Sequence, residues 1–116
     1  MNEILEQALL YDFYGELLTE RQKEIYEQFM LEDLSLSEIA SAAGISRQGV
    51  HDQIKRCQKL LEGYEEKLHL VERFLSIRQK VQELGQVLDS YQESTMDTQQ
   101  MIDGVRNISK QIIEEL

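Results

Sequence analysis

The chain has 116 residues with no Pro, no Trp and an apolar fraction of 41 %, which suffices for one domain plus an appended helical segment and excludes a large multi-domain enzyme. Twelve Lys and Arg against 22 Asp and Glu leave a net charge of −10. Affinity for nucleic acid rests largely on phosphate neutralisation, so diffuse non-specific binding is not expected and any contact with DNA or RNA has to come from a local basic face.

Leu, Glu, Gln, Ile and Lys dominate, side chains that lose little rotamer freedom in a helix, so an all-α fold is expected throughout. Asn2 caps a first helix whose apolar positions Ile4, Leu5, Ala8, Leu9 and Phe13 form one face, ending near Gly15. Thr19 with Gln22 makes a capping box for a second helix, which turns Ile25, Tyr26, Phe29 and Met30 inward and fades at Glu32-Asp33. Ser35 with Glu38 repeats the arrangement and opens a short third helix, Leu36 to Ala43, with Leu36, Ile39, Ala40 and Ala43 facing inward. Gly44 supplies the left-handed residue that stops it. Ser46 then caps a fourth helix with the apolar stripe Val50, Ile54, Cys57 and Leu61.

Beyond Leu61 the apolar steps of three and four continue through Tyr64, Leu68, Val71 and Leu75, then Phe74, Ile77, Val81, Leu84, Leu88 and Tyr91, which predicts one or two long helices. The polar stretch from Gln92 to Gln100 reads as a connection. A last amphipathic segment runs from Met101 to Leu116. The expected division is an N-terminal helical domain at 1–60 and long helices at 61–116.

The most specific signal spans about Leu34 to Lys59. Two short helices that cross steeply need a small residue where their backbones meet, a glycine in the turn and an apolar plug after it, and Ala40, Gly44 and Ile45 supply these, with Val50 completing the small core. In such a helix-turn-helix the first turn of the second helix can enter the major groove. The candidate nucleic-acid-binding residues are therefore Ser46, Arg47, Gln48 and His51 toward base edges, with Lys55, Arg56 and Lys59 along the phosphates. Asp52 opposes this role unless it pairs with Arg56 or Arg47.

Leu18-Thr19-Glu20-Arg21-Gln22, followed by Leu34 to Ala40 and Gly44 to Val50, resembles region four of bacterial sigma factors. More closely, Ser46-Arg47-Gln48-Gly49-Val50-His51-Asp52-Gln53-Ile54-Lys55-Arg56 resembles the YlxM family of small sigma-region-four-like proteins of Gram-positive bacteria. The resemblance implies a sigma-region-four-like domain followed by long helices, a DNA-binding regulatory role, and a connection to the signal recognition particle pathway. Its alternative implication is an accessory factor that docks on the protein or RNA of that particle without reading DNA. Gly49, Asp52 and the long acidic tail depart from sigma region four.

No Ser/His/Asp or Cys/His constellation presents itself, and with only His51 and His69 the choice of general base is thin, so neither an enzyme nor a cofactor is expected. Cys57 has no second cysteine to pair with, and no metal-ligand spacing is present. The start of the chain is acidic and amphipathic and no segment has the apolar length of a membrane span, so the expected location is the cytoplasm. Tyr11, Phe13 and Tyr14 read as packing residues, with a base-stacking platform as the alternative. The stripe Leu68, Val71, Leu75, Ile77, Val81, Leu84, Leu88 and Tyr91 is too long for a small domain to cover. It is expected to form a homodimer interface, with a hairpin made by the last helix as the competing arrangement.

Overall fold

The computed structural model describes residues 3–116. Among them are six α-helices and no strand: α1 (Glu3–Tyr14), α2 (Glu20–Met30), α3 (Leu36–Ala43), α4 (Arg47–Leu68), α5 (Leu70–Gln92) and α6 (Thr98–Glu115), with a 3-10 turn, Gly15–Leu17, after α1. The expected cap at Asn2 lies outside the described residues. The chain divides into two compact units, Met1–His69 and Leu70–Leu116, and α4 runs through positions 60 and 61 without a break. No helix among the described residues is long and apolar enough to cross a membrane.

Local chemistry sets the boundaries in the first unit. The Thr19 hydroxyl accepts from the Gln22 amide while the Gln22 side chain accepts from the Thr19 N–H, and Ser35 and Glu38 do the same, so both expected capping boxes form. Gly44 takes φ 71°, the left-handed conformation in which a Cβ is strained. Helix α4 ends differently. His69, with φ 56°, closes it by donating its N–H to the Glu65 carbonyl, a stop that carries no glycine and leaves no mark in the periodicity.

The core lies between α1, α2, α3 and α4. Ile25 and Tyr26 of α2, Ile39 and Ala40 of α3, and the full expected stripe Val50, Ile54, Cys57 and Leu61 of α4 are buried. The expected face of α1 is corrected: Ile4 and Leu5 are 72 % and 58 % exposed and Phe13 stands at 38 %, while Leu10 and Tyr14 carry the burial. Both candidate stripes have helical spacing, and the choice between them falls to the partners. Tyr14 stacks beside Tyr64 at 6.0 Å between ring centres and donates its hydroxyl to Glu65 Oε1 at 2.5 Å, both on α4. Tyr11 packs against Tyr26 at 5.6 Å and donates to Glu27, so these tyrosines are packing residues.

Burial pushes the Tyr26 phenol up to about 12, and Tyr11 is shifted in the same direction by burial and by its bond to Glu27. A raised phenol contributes stability that is complete below its ordinary value of 10.0 and is lost as pH rises through the folded value. The urea midpoint of the protein is therefore expected to fall between pH 10 and 12, and Tyr26→Phe is expected to flatten that fall; an alkaline limb unchanged by the substitution would refute the assignment.

In the second unit α5 and α6 form an antiparallel hairpin joined by residues 93–97. Within the polar stretch expected to be a connection, Asp97 caps α6 through a third capping box with Gln100, so helix resumes at Thr98. Gly104 marks a close approach of α6 to α5, since a Cβ there would stand 3.2 Å from Val87 Cγ1. Leu75, Ile77 and Leu84 are half-buried, Val71 is buried, and Val81, Leu88 and Tyr91 remain exposed, Tyr91 within 3.2 Å of Thr98 Oγ1. Leu68 belongs to α4 and is exposed.

Candidate nucleic-acid interface

The helix-turn-helix is α3, the turn Gly44-Ile45-Ser46 and the first half of α4. The Gly44 and Ile45 amides both donate to the Ala40 carbonyl, at 3.0 and 3.2 Å, which closes α3 and reverses the chain within three residues. Ile45 is half-buried as the plug. Ser46 Oγ accepts from the Gly49 amide at 2.9 Å. A Cβ at Gly49 would stand 3.1 Å from that hydroxyl and 3.6 Å from Ile45 Cδ1, so the glycine that departs from sigma region four serves the cap and the plug.

With Val50, Ile54, Cys57 and Leu61 facing the core, Gln48, Lys55, Arg56 and Lys59 lie on the opposite side of α4 and His51 on its flank, while Ser46 and Arg47 stand at its N-terminal end. Ser46, Arg47, Gln48, His51, Lys55, Arg56 and Lys59 are all exposed. Gln48, Asp52, Lys55 and Lys59 step by four, three and four along one line, and Asp52, Lys55, Arg56, Lys59 and Leu60 line a shallow groove on it. From Arg47 to Lys59 there are four cations and one carboxylate, although the chain as a whole is acidic. The positive face therefore exists locally. It ends at Glu62, Glu65 and Glu66.

Asp52 engages neither Arg47 nor Arg56. It accepts from Gln48 Nε2 at 3.0 Å and lies 3.7 Å from His51 Nδ1. Both arginines are left to face solvent, and the amide of Gln48 is held on its own helix. Ser46 is occupied as the helix cap, so its first role is to position α4. In sequence, Arg21 stands out only as a member of the Leu18-to-Gln22 motif. Its guanidinium reaches the end of α3 and donates to the Ala43 carbonyl at 3.3 Å, pinning α2 to the turn where a cation also complements the helix dipole. No spacing rule links positions 21 and 43.

Cys57 is wholly buried, with burial pushing its thiol up, and its Sγ lies 4.0 Å from the Gln22 carbonyl. That describes a small core residue, not a reactive thiol.

The fold and this turn define a helix-turn-helix protein. Residues 1–108 match the UPF0122 family, described as "Putative helix-turn-helix protein, YlxM / p13 like". The chain is 41 % identical over 113 residues to a UPF0122 protein of Thermoanaerobacter sp. (strain X514), covering 97 % of this chain and 96 % of that one. It is 46 % identical over 99 residues to a UPF0122 protein of Acetivibrio thermocellus, covering 85 % of each, and 46 % identical over 89 residues to one of Symbiobacterium thermophilum, covering 77 % and 83 %. This protein belongs to the UPF0122 family.

Proposed function

We propose that the protein is a non-enzymatic, cytoplasmic regulator that binds double-stranded DNA by placing the N-terminal half of α4 in the major groove. The observation that carries this reading is the exposed surface of α4 from Arg47 to Lys59, four cations with one carboxylate on the second helix of a tight helix-turn-helix. Arg47 and Gln48 read base edges, Gln48 exchanging Asp52 for an adenine, while Lys55, Arg56 and Lys59 hold phosphates. His51 lies on the same exposed surface.

The test is a fluorescence-anisotropy titration of the full chain against pooled genomic duplexes at two salt concentrations. The expected result is salt-sensitive binding with a sequence preference, and loss of that preference in Arg47→Ala/Gln48→Ala with affinity for bulk duplex largely kept. Absence of duplex binding would overturn the reading. The acidic balance of the chain favours a second occupant for the same face, a component of the signal recognition particle, as the resemblance to YlxM proteins implies. Titration against the particle's RNA and protein separates the two, because binding there without duplex binding makes α4 a docking helix.

A further inference from the structure

The α5–α6 hairpin has one apolar side with nothing of its own to cover it. Within this unit the contact between the two helices buries Ile108, yet Val81 and Leu88 on α5 are 53 % and 52 % exposed, and Ile102, Ile113 and Leu116 on the last segment are 38 %, 71 % and 81 % exposed. Val81, Gly85 and Leu88 follow one another by four and three along α5, about a third of a turn from Leu84 and Val87, which face α6. On α6, Ile102, Ser109 and Ile113 lie about a third of a turn from Met101, Ile108 and Ile112, in the same rotational sense. Because the helices run antiparallel, equal rotation in the same sense brings both stripes to one side of the hairpin. A shallow trough on α6 lined by Ile102, Val105, Ser109 and Ile113, with Arg106, Lys110 and Glu114 along its outer rim, runs along that side.

We propose that this side is the contact surface for a second copy of the chain, so that two hairpins close into an antiparallel four-helix bundle. This goes beyond the DNA-binding reading and does not depend on it. Size supports a second copy: five partly exposed aliphatic side chains present on the order of 500 Å², and with the polar residues between them they approach the roughly 800 Å² per partner that a stable interface buries. A two-helix unit also lacks the second layer that a core requires, and pairing of hairpins supplies it.

Charge and shape select a register. Arg78 and Asp89 are exposed and flank the Val81–Leu88 stripe on the same edge. A two-fold axis perpendicular to α5 beside Glu83 faces Arg78 with Asp89 of the partner subunit and, in the same register, seats Val81 over Gly85 of the partner subunit. Gly85 suits that role because nothing lies within 4 Å of where its Cβ would be, so the fold of the single chain does not require a glycine in mid-helix, where it is unfavourable. Carried across to α6 through the contact of Gly104 with Val87, the same axis brings Ile102 level, within one residue, with Ile113 of the partner subunit.

Sedimentation equilibrium of the full chain at micromolar concentration, without nucleic acid, tests this. The wild type is expected to be a dimer. Gly85→Leu fits the single chain and is expected to keep its helical circular-dichroism spectrum while the dissociation constant rises at least about tenfold, because close approach is blocked. Arg78→Asp is expected to weaken the dimer, and Arg78→Asp/Asp89→Arg to restore it. A wild type that stays monomeric, a Gly85→Leu dimer as tight as the wild type, or a charge swap that fails to restore association would each overturn the proposal.

Discussion

Alanine at Lys55, Arg56 and Lys59 together is expected to lower affinity for duplex DNA on the order of 10²-fold at about 0.1 M salt, and to make the slope of log K against log salt shallower by about 2.7, roughly 0.9 for each phosphate no longer neutralised. The three side chains are exposed on the side of α4 opposite its buried stripe, so their truncation leaves the core untouched. Asp52→Asn is expected to act in the opposite direction, since Asp52 is the one carboxylate between Arg47 and Lys59. Asparagine keeps an oxygen that can still accept from Gln48 Nε2, 3.0 Å from Asp52 in the wild type, so the gain reports the removed charge alone. Anisotropy titrations over a salt series measure both effects. An unchanged slope in the triple variant would remove these residues from the interface, even if binding itself persisted.

The second large effect concerns stability. Ile39 is completely buried on α3, at the meeting of α2, α3 and α4. Replacing it with Ala removes the transfer energy of the side chain and leaves a cavity that the short helix cannot collapse around, at a cost of roughly 2–5 kcal/mol. For a domain of this size that corresponds to a fall in Tm of more than about 10 °C. Leu31→Ala, at a position 65 % exposed, serves as the control and is expected to change stability by no more than about 0.5 kcal/mol. Equal effects of the two substitutions would show that the helix-turn-helix is not held by this core. Because α3 supports the turn that presents α4, Ile39→Ala is also expected to weaken duplex binding at temperatures where the wild type is intact.

The cationic and apolar sides of α4 are legible in the sequence because each follows from helical periodicity alone. Val50, Ile54, Cys57 and Leu61 are all buried, and Arg47, Gln48, His51, Lys55, Arg56 and Lys59 are all exposed. The caps are legible for a similar reason. Thr19 with Gln22, Ser35 with Glu38, Ser46 and Gly44 act within one turn of their own backbone, and all four are found in these roles. The partner of Asp52 is not legible, since Gln48 and Arg56 both lie one turn away along the same helix. Gln48 and His51 are the neighbours it takes.

Residues a few positions apart are enough to settle the all-helical class, the boundaries drawn by capping chemistry, the helix-turn-helix and the identity of the charged side of α4. Which face of α1 is buried, that α4 stops at His69, that Arg21 reaches the end of α3 and that α6 folds back on α5 are settled instead by how the helices pack in three dimensions. Most of these depend on groups far apart in the chain. The packing energy that selects Tyr14 over Phe13 belongs to Tyr64 and Glu65, some fifty positions away. An amphipathic stripe states that a surface must be covered; which surface covers it is settled by shape and by the hydrogen bonds available once the helices meet.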